Sequence, residues 1–186
     1  MKQVIIVLGI IVTILSVVYG AYMPLVKAQS YISALRNVQS VRSVDGFKTL
    51  FDVPISFYSP IGDEEVVKFL SNDILGVVSQ PNQQEAVSRA LVEYIEPHLF
   101  QTSVIHLLNG SSMRSILWQK HGRDEDYVLA EAYLKKAYAI GPKLPPVLYG
   151  LLNLYSLKED KDNMQKIAKI ILTYWPSDEK VKKLVQ

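Results

Sequence analysis

The chain has no cysteine. Disulfides, thiolate metal sites and cysteine nucleophiles are therefore excluded, and the redox state of its compartment leaves no mark on it. Glycines nowhere gather into a phosphate-binding loop, and no serine sits in a nucleophile-elbow pattern. Strand signals are almost absent, with Val53–Tyr58 the one short alternating stretch. A strong charge of one sign is also lacking, since the net charge is +2. Residues 28–111 hold 5 basic and 9 acidic side chains, and residues 112–186 hold 13 and 9. That mild contrast speaks for solubility and partner steering and not for a nucleic-acid footprint, so nucleic acid is not an expected partner.

What is present begins with an uncharged run from Val4 to Met23, dominated by Ile, Val and Leu. As a helix it is about 30 Å long, the thickness of a hydrocarbon core. Gly9, Thr13, Ser16 and Gly20 interrupt it, which a membrane helix tolerates and can use for close helix contact. Tyr19 and Tyr22 lie near its end, where interfacial aromatics belong, and Pro24 and Lys27 mark the exit. The rival reading is a cleaved signal peptide, with Lys2 as the charged start and Val18-Tyr19-Gly20 as the cleavage site; the apolar run is longer than such peptides carry. Residues 1–27 are thus expected to be a single-pass anchor contacting membrane through 4–23. Orientation rules conflict: Lys27, Arg36 and Arg42 favour a cytoplasmic body, whereas a very short N-terminal tail favours export. The expectation adopted is an extracytoplasmic body.

Beyond the anchor, residues 28–58 read as a helical stalk or linker. Tyr31, Leu35 and Val38 are at helical spacing, and a short amphipathic piece from Val44 to Val53 ends before Pro54. Ser59-Pro60, followed by Asp63, Glu64 and Glu65, has the form of a capped helix start. Residues 59–110 then supply helices broken at Gln80-Pro81-Asn82 and Pro97, with a further helix over Leu99–Leu108 and a turn at Asn109-Gly110-Ser111. The expected fold class is all-α: an N-terminal transmembrane helix followed by an array of helical hairpins.

The array is clearest in residues 111–186. Pro142 and Pro176 each end an amphipathic segment and stand 34 positions apart. Ala130, Leu134 and Ala137 precede the first proline in a small–large–small register, and Leu148, Leu151, Leu152 and Tyr155 supply the apolar face of the next helix. Met164, Ala168 and Ile171 occupy the corresponding second-helix positions with different sizes. Over roughly its last 75 residues the chain resembles a tetratricopeptide-repeat protein. Such hairpins bury only part of their apolar face alone, so about three are needed and upstream helices must stack on these two. Lys180, Lys182 and Lys183, with Val181, Leu184 and Val185, form a short C-terminal capping helix whose basic face could also meet anionic lipid.

A second resemblance lies in the order of features: a membrane helix and stalk, Gly46-Phe47-Lys48-Thr49-Leu50, Ser59-Pro60-Ile61-Gly62-Asp63-Glu64-Glu65, the hairpin with Asp124, Tyr127, Ala130, Tyr133-Leu134 and Ala137, then Tyr174-Trp175-Pro176. This looks like the C-terminal soluble region of some bacterial O-antigen-ligase-like membrane proteins. The polytopic core of that family has no counterpart here. The resemblance implies an appendage near cell-envelope polysaccharide assembly, partnered by a polytopic glycan-assembly protein, and not a transferase.

Candidate chemistry is sparse. His98 and His106 stand 8 apart, wider than helical zinc ligands, and read as polar surface. His121 with Asp124 and Asp126 reads as a solvated loop. Glu93 and Glu96, one turn apart, would serve acid–base chemistry only if buried together, and solvent exposure is expected. Ser111-Ser112 beside His121 makes no nucleophile pattern. Tyr133, Tyr149, Tyr155 and Tyr174 could line a groove or pack between helices. No catalytic residue, cofactor or metal is expected. Tyr149, Asn153 and Ser156, projecting from a first helix, are the expected partner-binding residues on the repeat surface. The functional expectation is a membrane-anchored scaffold for protein–protein interaction at the cell envelope, with an accessory role in bacterial surface-polysaccharide assembly as the alternative.

Overall fold

An uninterrupted right-handed backbone carries the chain from its first turn into its stalk. In this computed structural model, which describes residues 2–184, helix α1 (Lys2–Val17) passes through a π-helical turn, Val18–Tyr22, into α2 (Met23–Asn37). Pro24 does not end the helix. The Met23 N–H reaches the Val18 carbonyl, five residues back, and this wide turn makes room where a proline ring would otherwise meet the preceding turn. The helical run Lys2–Ser40 is long and apolar enough to cross a membrane. No residue of α1 is buried. Its hydroxyls satisfy themselves, Thr13 donating to the Gly9 carbonyl at 2.9 Å and Ser16 to the Val12 carbonyl at 2.8 Å.

The remaining elements are also helical: α3 (Val44–Ser56), α4 (Asp63–Ser79), α5 (Glu85–Ile95), α6 (Val104–His121), α7 (Asp124–Ile140), α8 (Pro145–Leu157), α9 (Lys161–Tyr174) and the single turn α10 (Glu179–Lys182). No strand occurs among the described residues, so the chain is all-α and Val53–Tyr58 is not a strand. It divides between Leu70 and Ser71 into two compact units, the division falling within α4.

In the first unit Ser43 caps α3 by accepting from the Gly46 N–H at 3.1 Å. Helix α3 runs through Pro54 to Ser56 instead of stopping before it. It packs on α2 through Phe51, which is fully buried, its ring 6.0 Å from Tyr31 and 4.6 Å from Phe47. The expected Ser59-Pro60 helix start is displaced by a turn. Ser59 donates to the Ile61 carbonyl at 2.6 Å, and Gly62 adopts φ +99°, which only glycine takes without strain. Helix α4 then begins at Asp63 with three acids in its first turn.

In the second unit, one expectation fails for an instructive reason. The Leu99–Leu108 helix and the Asn109-Gly110-Ser111 turn are replaced by one helix, α6, which starts at Val104 and runs straight through 109–111. The three turn-type residues face inward. Asn109 donates to Ser71 Oγ at 2.8 Å, Ser111 donates to the Ala130 carbonyl at 2.9 Å, and Gly110 lets Leu99 and Tyr133 come within 3.1 Å of where a Cβ would stand. Small polar residues here serve close helix packing and not reversal. Helix α6 turns into α7 at Gly122, which adopts φ 72° and caps α6 by donating to the Trp118 carbonyl at 2.7 Å. Hairpins α6–α7 and α8–α9 then share one core, in which Ala130, Leu134, Ala137, Leu148, Leu151, Leu152, Tyr155, Ala168 and Ile171 are buried and Met164 packs at its margin. Val181 of α10 closes it.

Candidate functional site

Helices α6 and α8 are the first helices of successive hairpins, and between them lies a cleft of about 380 Å³. Ser112, Ser115 and Gln119 line it from α6 at i, i+3 and i+7, and Pro146, Gly150 and Asn153 line it from α8 at similar spacing. Leu108, Ile116, Leu134 and Leu154 contribute its carbon surface. A Cβ on Gly150 would stand 2.8 Å from Leu134 Cδ2, so the glycine is what lets α7 support the cleft. Ser112, Gln119 and Asn153 are exposed, and the Gln119 amide donates to Ser115 Oγ at 3.1 Å. None of the lining side chains is ionisable. Hydroxyls and amides can each donate and accept, a set that matches an uncharged ligand rich in both functions, such as an extended polypeptide backbone.

Of the three expected partner-binding residues, only Asn153 lines this cleft. Tyr149 leans the other way, its hydroxyl bonded to the Asp178 carboxylate and its ring 6.2 Å from Trp175. That hydrogen bond raises the Tyr149 pKa and lowers that of Asp178. Ser156 is exposed on α8 outside the cleft lining. Tyr174 is also exposed, its ring 5.8 Å from Trp175 with the Lys143 ammonium 5.6 Å from its centroid. Tyr155 is buried between helices and donates to Glu131 at 2.9 Å, and burial pushes its pKa up. Ser112, Ser115 and Gln119 were hidden by the mistaken turn at 109–111; extending the helical period back through it would have exposed their stripe.

A second cluster, buried, ties α5, α6 and α7 together. Asp126, expected in a solvated loop, has no exposed surface. It accepts from Arg89 through both oxygens, at 3.1 and 2.9 Å, and from Arg114 at 2.8 Å. Glu96, expected at the surface, turns inward and accepts from Arg114 Nε at 2.7 Å and Nη2, with the Tyr133 hydroxyl donating to it at 3.3 Å. Glu85 joins through Arg89 at 3.1 Å and Arg123 at 2.7 Å, with His121 Nδ1 at 3.8 Å. Burial acts to raise the Asp126 pKa, but hydrogen bonds and charge from Arg89 and Arg114 hold it below the ordinary carboxylate value. For Arg114 burial opposes the charge, and Glu96 and Asp126 outweigh it, raising the pKa. Burial, then the Glu96 charge, pushes Tyr133 up to about 12. Every ion here faces a partner of opposite sign, which suits a keystone between helices.

The other candidates disperse. Glu93 is exposed and its expected pair Glu96 is engaged with Arg114, so the two do not share a cleft. His98 sits in the turn Glu96–His98, whereas His106 lies in α6, fully buried and not at the surface. His106 Nδ1 accepts the Phe100 N–H at 3.1 Å, fastening the loop before α6. Among the described residues no three His, Asp or Glu side chains gather as a metal-ligand set. Comparison with family models, with curated proteins and with solved structures finds no match.

Proposed function

We propose that the chain is a membrane-anchored helical-repeat scaffold, of tetratricopeptide type, that holds a protein partner beside the bilayer at the cell envelope. The observation that carries this reading is the uncharged, hydroxyl- and amide-lined cleft between α6 and α8, the first helices of two stacked hairpins. First-helix faces of stacked hairpins form the inner surface on which helical arrays take extended segments. The anchor confines that surface to a thin layer at the membrane and so raises the effective concentration of a membrane-bound partner.

The test is a photocrosslinking side chain placed at Asn153 in cells, with Val128, exposed on α7, as the control position. A protein adduct at 153 that is absent at 128 and is lost on Ser115→Trp is expected. Equal crosslinking at both positions sinks the reading.

A second reading, an accessory of bacterial surface-polysaccharide assembly without its own transferase site, draws on the surface aromatics Tyr149, Tyr174 and Trp175, whose ring faces suit sugar rings. It requires the body to be outside. Cysteine at the exposed Ser177, labelled by an impermeant maleimide in intact cells, supports that placement, and labelling only after lysis removes it.

A further inference from the structure

The first unit holds a groove of another kind. About 500 Å³ in volume, it runs along α2 and is lined there by Pro24, Ala28 and Ile32, facing Ile61, Val66 and Phe69 from the turn and α4. Its volume falls within the range of small-ligand pockets, about 300–1,000 Å³, and its wall is mostly carbon, with Lys27 and the exposed Glu65 also lining it. It begins at the residue following the apolar run Val4–Met23, on the same continuous helix. Several of its walls are open to the outside: Ile61 is 61 % exposed, Phe69 51 % and Ile32 46 %.

The charge arrangement bears on what fills it. Lys27, the first ionisable residue after the apolar run, would ordinarily stretch toward the headgroups. Here it is 1 % exposed, its ammonium donating to the Phe57 carbonyl at 2.7 Å and pairing with Asp63. The cation at the helix exit is thus withdrawn into the protein and paired, and the groove side of α2 presents Ala28 and Ile32, with the uncharged Gln29 and Ser33 also exposed on that helix. A groove meeting water gains nothing from that burial of charge; a groove meeting hydrocarbon does.

We propose that this groove binds an acyl chain of a bilayer lipid, which rises along α2 from the hydrocarbon core. The inference rests on α1 being a membrane anchor. Ile32 lies about 12 Å along the helix from Pro24, so a chain leaving the core crosses the interfacial layer within the groove.

Because the chain has no cysteine, single environment-sensitive labels can be placed in the full-length protein in nanodiscs containing lipids with a nitroxide on the acyl chain. Labels go at Ile61→Cys and Phe69→Cys, both exposed sites, with Val12→Cys in α1 and Asn153→Cys as references. The expected result is blue-shifted emission at 61 and 69, quenched by the nitroxide to an extent comparable with position 12, while position 153 stays unquenched. Ala28→Trp, which fills the groove from an exposed position, should then relieve quenching at 69 and leave position 12 unchanged. Water-like emission at 61 and 69 with quenching at 12 overturns the groove site alone. Blue-shifted but unquenched emission puts protein in the groove and overturns it too. Quenching at 69 that Ala28→Trp does not relieve shows a face lying on lipid with no chain bound. An unquenched label at 12 removes both the anchor and this inference.

Discussion

Helices α1 and α8 are both rich in large aliphatic side chains, and they dispose of them in opposite ways. In α1 none of the 16 residues is buried, and Ile5, Ile6, Val7 and Leu8 each expose more than half their surface. In α8, of 13 residues, six are buried: Val147, Leu148, Leu151, Leu152, Leu154 and Tyr155. The difference is in the cover provided. Around α8 stand Ala130 and Ala137 of α7 and Ala168 of α9, all fully buried, whose small side chains let neighbouring backbones approach and the leucines interlock. Among the described residues nothing of the kind covers α1, whose aliphatic side chains stay exposed. Hydrophobicity tells that a segment must leave water; the distribution of small residues elsewhere tells whether the protein itself can receive it.

That contrast can be broken or sharpened by substitution. The largest effect is expected where the second unit buries charge. Asp126→Asn leaves Arg89 and Arg114 without their shared carboxylate and should cost about 3–5 kcal/mol in chemical unfolding. The same carboxylate gives the acid dependence its sign. Its folded pKa is lowered, so its contribution is complete at neutral pH and is lost as pH falls below the unfolded aspartate value of about 3.9 and through the folded one. Asp160, lowered by the Asn163 backbone and side chain, and Asp178, lowered by Tyr149, titrate with the same sign, so Asp126→Asn should flatten the acid limb without abolishing it.

Next comes a matched pair. Leu148→Ala should cost about 2–5 kcal/mol by opening a cavity in the shared core. Leu8→Ala should leave that same unfolding transition within about 0.5 kcal/mol, since it touches no folded core. Equal losses from the two leucines would erase the distinction between the regions. A smaller effect, about 1–3 kcal/mol, is expected for Gly110→Val, which pushes into Leu99 and Tyr133 from the middle of α6. If it were neutral, the close approach ascribed to Gly110 would be wrong.

How much of this could be read from the chain alone varied with the range of the interaction. The long apolar helix over 4–23 was legible because it is a run, and the buried positions of α7 to α9 because their period is local and Pro142 and Pro176 punctuate it. Asn109-Gly110-Ser111 misled because its composition fits a turn and a tight helix crossing equally, and the choice is made by Ser71, Leu99, Tyr133 and Ala130, all distant in sequence. The ion network was invisible for the same reason. Arg89 and Asp126 are 37 positions apart, and Arg114 and Glu96 are 18 apart, with nothing in either neighbourhood to mark them as partners. The groove beside α2 also rests on a distant pair, Lys27 with Asp63, where a lysine near a membrane exit suggests a snorkelling cation and not a buried one.

The wide turn at Val18–Tyr22 has a consequence for how the chain can be altered. A π turn holds one residue more than the α-helix around it, so it works as a spacer in the angular register of the whole rod. Deleting one residue inside it should convert it to ordinary helix and leave both flanks pointing as before. Deleting one residue in the middle of α1 should instead swing the preceding segment by about 100° relative to α2. The five residues Val18–Tyr22 are therefore the place where this rod tolerates a change of length without a change of azimuth.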